Sequence, residues 1–150
     1  MFPGFTREWE PWYDKANQTP RRNHPIEKKI IATTAAPGAI GPYSQGWVVG
    51  GMVFTSGQIP VDPATGEIPE GITAQAHQSC KNVLAVLAGG GAGAEDVVKT
   101  TCFLADMGDF AAFNEVYAKY FVSKPARSCV AVKTLPKNVL CEIELIALCK

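Results

Sequence analysis

From Lys28 onward, apolar and polar positions fall into short patterns of alternating period. Residues 29–33 read as a short strand. Residues 36–42 hold two prolines and two glycines and read as a loop. Residues 45–49 and 52–56 are apolar runs split by Gly50-Gly51, a two-residue hairpin signal. Residues 60–69, with Asp62, Pro63, Gly66 and Pro69, read as a surface loop. Ile72, Ala76, Cys80, Val83, Leu84 and Leu87 then recur at helical spacing, and Gly89-Gly90-Gly91 stops that helix. Residues 97–104 form a strand bounded by Asp96 and Asp106. Asp109 is the expected N-cap of a second helix. In that helix Phe110, Phe113, Tyr117, Tyr120 and Phe121 make an aromatic stripe at three- and four-residue steps, expected to be core. Two further strands, residues 127–132 and 139–149, are joined by a polar loop holding Pro136, Lys137 and Asn138. The order is strand, strand, strand, helix, strand, helix, strand, strand. It predicts an α+β domain of two layers, a mixed sheet with both helices on one face. The other face needs cover, which subunit association could supply.

The last two strands carry charges that do not belong in a core. Side chains alternate along a strand, so Arg127, Cys129 and Ala131 share one side of theirs, and Leu140, Glu142 and Glu144 one side of theirs. If these strands are neighbours, a guanidinium, a thiol and a carboxylate surround one concave spot. An arginine fork holds a carboxylate by two parallel hydrogen bonds, and a glutamate beside it can orient or deprotonate water. The plainer alternative is a structural salt bridge at the end of a sheet.

Composition narrows the classes. A chain of 150 residues, 47% hydrophobic and 19% charged, suits one globular domain. Fourteen basic and fourteen acidic residues cancel, so no global field draws in nucleic acid, and nucleic acid is not an expected partner. No apolar run approaches the roughly 20 residues of a membrane helix. The five cysteines lie inside apolar segments with no C-x-x-C pair and no His/Cys ligand spacing. Free thiols in a reducing, cytoplasmic setting and no metal are expected. The glycine triplet follows a helix and no Gly-Lys-Ser/Thr comes after it, so it reads as a helix stop rather than a phosphate cradle. His77 lies in the first helix at no evident site, and a surface or helix-packing role is expected.

Residues 1–27 stand apart as an amino-terminal extension, ahead of a domain of residues 28–150. Phe2, Phe5, Trp9, Trp12 and Tyr13 crowd together among prolines. There is no apolar signal region, and Glu8, Glu10 and Asp14 argue against a mitochondrial presequence. An arm that docks its aromatic residues and a tail without a role are both open.

Five motifs recur in one order: residues 36–45 (Ala-Pro-Gly-Ala-Ile-Gly-Pro-Tyr-Ser-Gln), residues 54–60 (Phe-Thr-Ser-Gly-Gln-Ile-Pro), residues 96–101, Pro125-Ala126-Arg127-Ser128-Cys129, and Cys141-Glu142-Ile143-Glu144. Together they closely resemble the RidA family, also called YjgF-like, the reactive-intermediate imine deaminases historically labelled endoribonuclease L-PSP. The resemblance spans about residues 28–150.

It implies a chorismate-mutase-like fold assembled as a homotrimer with clefts between subunits. It also implies hydrolysis of 2-imino acids such as 2-iminopropanoate and 2-iminobutanoate, without metal or organic cofactor. These imines form when pyridoxal-phosphate dehydratases release enamines. On this reading Arg127 anchors the substrate carboxylate, and Glu142 positions the water and moves protons. Tyr43 lines the pocket, Ser56 and Gly57 lie at its rim, and Asn114 lies near it. Cys129 approaches the substrate mainly through its backbone, since neither His nor a second Cys lies nearby in sequence to activate its thiol. One departure stands out. The short run Phe121-Val122-Ser123-Lys124 replaces a longer loop with an aromatic residue that the family often has, so the shape of the pocket can differ. The alternatives are a chaperone-like or ligand-binding interaction protein, and an endoribonuclease or translation inhibitor. Against the latter, no His pair or basic cluster with interleaved aromatics is present.

Overall fold

The computed structural model describes residues 26–149. Six strands and two α-helices follow in the predicted order: β1 Lys28–Ile31, β2 Gly46–Val49, β3 Met52–Thr55, α1 Ile72–Gly89, β4 Val97–Leu104, α2 Phe110–Tyr120, β5 Ala126–Ala131 and β6 Cys141–Leu148. The amino-terminal extension, apart from Ile26 and Glu27, lies outside the described residues.

The strands form one mixed sheet in the order β1-β2-β3-β6-β4-β5. β1, β2 and β3 make an antiparallel meander, turned at Gly50 and Gly51 with φ of 56° and 81°, values that glycine adopts without a Cβ clash. β4 and β5 are parallel, with α2 as the crossover between them. β6 enters antiparallel between β3 and β4. The two terminal strands are therefore not neighbours, and the expected juxtaposition of Arg127 with Glu142 on adjacent strands is corrected: β4 separates them. The helical crossover fixes β5 on the outer side of β4. The segment after β5 then crosses the end of β4, where Val132 N–H donates to Leu104 O at 3.0 Å and Ala105 N–H donates to Leu140 O at 2.9 Å. The remaining vacant edge of β4 takes β6.

Both helices cover the same face of the sheet. Cys141, Ile143, Leu145 and Ala147 of β6 alternate into that layer, together with Val53, Cys102 and Leu104. Against them pack Ala76, Cys80, Val83, Val86 and Leu87 of α1, and Phe113, Val116 and Tyr117 of α2. The aromatic stripe is core as expected: Phe113, Tyr117 and Phe121 are buried, and Phe110 and Tyr120 pack against them. His77 serves helix packing, with Nδ1 2.9 Å from the Tyr120 hydroxyl across α1 and α2.

Polar residues on the buried side of α1 hold the loops that shape the site. Asn82 donates to Ile59 O at 2.9 Å and Val61 O at 2.8 Å. Gln75 donates to Pro69 O at 3.0 Å and accepts from Leu140 N–H at 2.7 Å, just before β6. Buried Gln45 likewise ties down the loop after β1, donating to Thr33 O at 3.0 Å and Pro37 O at 2.8 Å and accepting from Thr33 N–H at 2.7 Å. The N-cap expectation is corrected. The Asp109 side chain makes no capping bond, whereas Asp106 accepts from Gly108 N–H at 2.7 Å and caps the 3-10 turn that leads into α2.

Among the described residues, no helix covers the opposite face. Ile30, Phe54, Val130 and Leu148 are exposed on it, and the registers Ile30↔Trp47, Trp47↔Phe54, Phe54↔Ile146 and Met52↔Leu148 join apolar residues into one strip across four strands.

Candidate functional site

The site residues expected from sequence fall into two clusters. The first lies at the α2–β5 edge. Thr100 on β4 faces Arg127 on β5 in register, and Cys102 faces Cys129. Since cross-strand partners share a face, Arg127 and Cys129 sit on the helix-covered side. There the Arg127 guanidinium donates to Asn114 Oδ1 at 2.8 Å. It lies over the Tyr117 ring at 4.7 Å and the Phe110 ring at 5.5 Å to the centroids. Phe110, Asn114 and Tyr117 are spaced four and three residues apart, so one face of α2 presents all three. Each such cation–ring contact contributes about 0.5–2 kcal/mol, more as water is excluded. Tyr117 is itself fixed, its hydroxyl 2.6 Å from Thr100 Oγ1 and its ring stacked on Phe121 at 4.5 Å.

Cys129 is half-buried. Desolvation raises its thiol pKa, partly offset by the Arg127 charge, so at neutral pH it is a protonated thiol and a poor nucleophile. Deeper in the core, Cys102 and Cys141 are pushed up to about 12 by burial. All five cysteines are free.

The second cluster lines a cavity of about 510 Å³ formed by Ile40, Tyr43, Thr55, Ser56, Gly57, Ile59, Pro136, Glu142 and Glu144. Four of the expected site residues, Tyr43, Ser56, Gly57 and Glu142, come together here from three separate segments. Tyr43 sits on a tight turn, its N–H donating to Gly41 O at 2.8 Å and its hydroxyl accepting from Ile40 N–H at 3.3 Å. Ser56 donates its hydroxyl to Ser44 O at 2.6 Å, which ties the segment after β3 to the Tyr43 loop. A second tie joins that segment to β6 through paired hydrogen bonds between Gln58 and Ile143, at 2.8 and 3.2 Å. The result lays Gly57 directly against Glu142: a Cβ at position 57 would overlap the glutamate carboxyl. The half-buried Glu142 is raised above its ordinary pKa, first by desolvation and then by the neighbouring Glu144 charge. Such a carboxyl, held above the ordinary glutamate range and open to a cavity, suits a proton-transfer role.

Within one chain the two clusters do not meet. Ile143 faces Cys102 in the core, so Glu142, one residue away, points to the opposite side of the sheet from Arg127. The concave spot expected from Arg127, Cys129 and Glu142 is not formed by a single chain.

Three participants escaped sequence reasoning. Phe110 and Tyr117 were expected only as core, although their spacing from Asn114 signals a shared helix face. Thr100 lies in the 96–101 motif but was given no role there, because its role comes from strand register. Among the described residues, no group of three or more His, Cys, Asp or Glu side chains has a geometry that could hold a metal ion.

A family model described as endoribonuclease L-PSP matches residues 33–149. The 2-iminobutanoate/2-iminopropanoate deaminase of Salmonella typhimurium is 54% identical over 123 residues, covering 79% of this chain and 96% of that protein. The deaminase of the same name from Escherichia coli K12 is 53% identical with the same coverage. Among solved structures, E. coli TdcF with bound serine superposes with a TM-score of 0.79 at 52% identity, over 81% of this chain and 99% of that one. The E. coli YjgF gene product gives the same TM-score at 51% identity and the same coverage.

Proposed function

The chain belongs to the endoribonuclease L-PSP family, and from that premise we propose that it hydrolyses small 2-imino acids to 2-oxo acids and ammonia. The substrates are of the 2-iminopropanoate and 2-iminobutanoate class, so the enzyme removes reactive intermediates released by pyridoxal-phosphate dehydratases. The observation that carries this reading is the Glu142 carboxyl. It is half-buried, shifted toward neutrality and held against Gly57 in an open cavity, in a chain more than half identical to named imine deaminases.

The chemistry balances with these groups. The Arg127 fork takes the substrate carboxylate by paired charge-assisted hydrogen bonds, leaving the imine carbon toward Glu142. The Glu142 carboxylate accepts a proton from water as the oxygen attacks that carbon, giving a tetrahedral carbinolamine. That proton passes to the imine nitrogen to complete the neutral amino group; Glu142 then takes the carbinolamine hydroxyl proton and delivers it to the nitrogen as the carbon–nitrogen bond breaks, so ammonia leaves and the carbonyl of the 2-oxo acid forms. Glu142 ends as it began. Because imines are already electrophilic, orientation supplies much of the rate. The Cys129 thiol takes no covalent part; its backbone and the Asn114 amide border the bound acid. Ser56 and Tyr43 frame the cavity.

Since Arg127 and Glu142 lie on opposite faces of the sheet, we assign the complete site to the junction of two subunits, one giving the Arg127 cluster and the next giving the Glu142 cavity. A closed ring of three such head-to-tail contacts makes a homotrimer, with the uncovered apolar strip as buried surface. The five free cysteines support a reducing, cytoplasmic setting.

The test couples a threonine dehydratase to this protein and follows release of 2-oxobutanoate. The expected outcome is acceleration by the wild type. Arg127→Ala should lower kcat/KM by about two to three orders of magnitude with an unchanged melting curve, as loss of a buried charge pair with substrate predicts. No acceleration by the wild type, or full activity in Arg127→Ala, contradicts the assignment.

A further inference from the structure

The Arg127 cluster contains a closed loop of contacts. Thr100 is the cross-strand partner of Arg127. Its hydroxyl lies 2.6 Å from the Tyr117 hydroxyl, fully buried. The Tyr117 ring lies under the guanidinium of Arg127, 4.7 Å from its central carbon. The height of the ring above the sheet is thus set by a bond to the residue that pairs with Arg127 itself. We propose that Tyr117, tied by its hydroxyl to Thr100, is a positioning residue that fixes the plane of the Arg127 guanidinium for the carboxylate of a 2-imino acid. The proposal rests on the deaminase reading and adds a specificity device to it.

The physical reason is the flexibility of arginine. A free guanidinium samples many rotamers, and a bidentate grip on a carboxylate needs one orientation. Asn114 Oδ1 accepts one N–H from Arg127 Nη1. That bond alone leaves the plane free to rotate about it. A ring face beneath removes that freedom, because the cation is drawn toward the ring centre, and a second ring, Phe110, lies 5.5 Å from the same carbon. The ring can do this only if it does not tilt. The stack on Phe121 and the hydroxyl tie to Thr100 hold it at both ends. A phenylalanine would fill the same core space, so packing alone does not require the hydroxyl.

The substrate carboxylate bears the same charge before and during hydrolysis. Loosening the fork therefore weakens ground state and transition state alike, which raises KM and leaves kcat nearly unchanged. A purely structural role for the hydroxyl would instead lower the melting temperature and leave KM alone.

The experiment measures KM and kcat with imine supplied by a threonine dehydratase, and the dissociation constant of 2-oxobutanoate by calorimetry. Tyr117→Phe and Thr100→Val break the bond from either end. Each should raise KM and weaken 2-oxobutanoate roughly three- to tenfold, the worth of one buried neutral hydrogen bond, with kcat within about twofold. The double variant should be no worse than either single one, since both remove one bond. Thr100→Ser keeps the hydroxyl and should bind as the wild type does. If Tyr117→Phe does not fold, Thr100→Val makes the same test. Unchanged KM and 2-oxobutanoate binding in folded Tyr117→Phe and Thr100→Val, with Arg127→Ala inactive, overturns the positioning role and leaves the deaminase reading standing. Full hydrolysis by Arg127→Ala overturns both.

Discussion

At the scale of single residues, the chemistry depends on how one carboxyl is housed. Glu142 is raised because it is partly desolvated and faces Glu144. If its anion is the base, kcat/KM should climb with pH through a midpoint above that of an ordinary glutamate. Glu144→Gln removes the like charge and should move that midpoint to lower pH, read directly from a pH–rate profile; an unmoved midpoint separates the two carboxyls. The same shift has a stability consequence. The folded chain holds this proton more tightly than the unfolded chain does, so folding weakens as pH rises from the ordinary glutamate range through the raised value. Glu142→Gln should remove that loss, making the variant inactive yet no less stable at neutral pH, which thermal melts across pH will reveal. Gly57 is the other exacting position. Gly57→Ala places a methyl where the Glu142 carboxyl lies, so it should lower kcat by about tenfold or more without unfolding the sheet. Wild-type kcat in that variant would mean the glutamate works from elsewhere.

Among elements, the loops that shape the cavity are held by buried amides on helix α1 and by Gln45, just before strand β2, rather than by their own sequence. Asn82 satisfies the carbonyls of Ile59 and Val61, where the 60–69 loop begins. Asn82→Ala leaves both without a partner and should cost about 2–4 kcal/mol, seen as a lower denaturant midpoint with an unchanged slope. The elements themselves were legible in the sequence because their periodicities are unambiguous: glycine pairs and triplets mark the turns, and alternation along Cys141–Leu148 separates core from cavity. The motifs pointed to Tyr43, Ser56, Gly57 and Glu142, which share one cavity, and to Asn114 and Arg127, which touch. Strand adjacency was not. Nothing in residues 127–149 reveals that β4 lies between the two strands; that follows from the α2 crossover and from an edge of β4 left vacant until the last strand arrives. The cap escaped for a similar reason, since Asp106 and Asp109 both fit the composition and only the 3-10 turn between them decides.

For the whole molecule, the sheet sets Arg127 and Glu142 on opposite sides, so the proposed site needs two associated subunits. The uncovered face carries exposed Phe54, Val130 and Leu148. A charge there, as in Phe54→Arg, should yield a folded but smaller species by light scattering, with activity lost in step. The most direct measurement mixes two inactive variants, Arg127→Ala and Glu142→Gln, by co-expression. In a trimer with sites shared between neighbours, a mixed assembly pairs an intact Arg127 from one subunit with an intact Glu142 from the next. For a random equal mixture, about one quarter of the sites are then rebuilt. Imine hydrolysis should return to roughly that fraction of wild type on mixing; a mixture as inactive as its parents would contradict sites shared between neighbours.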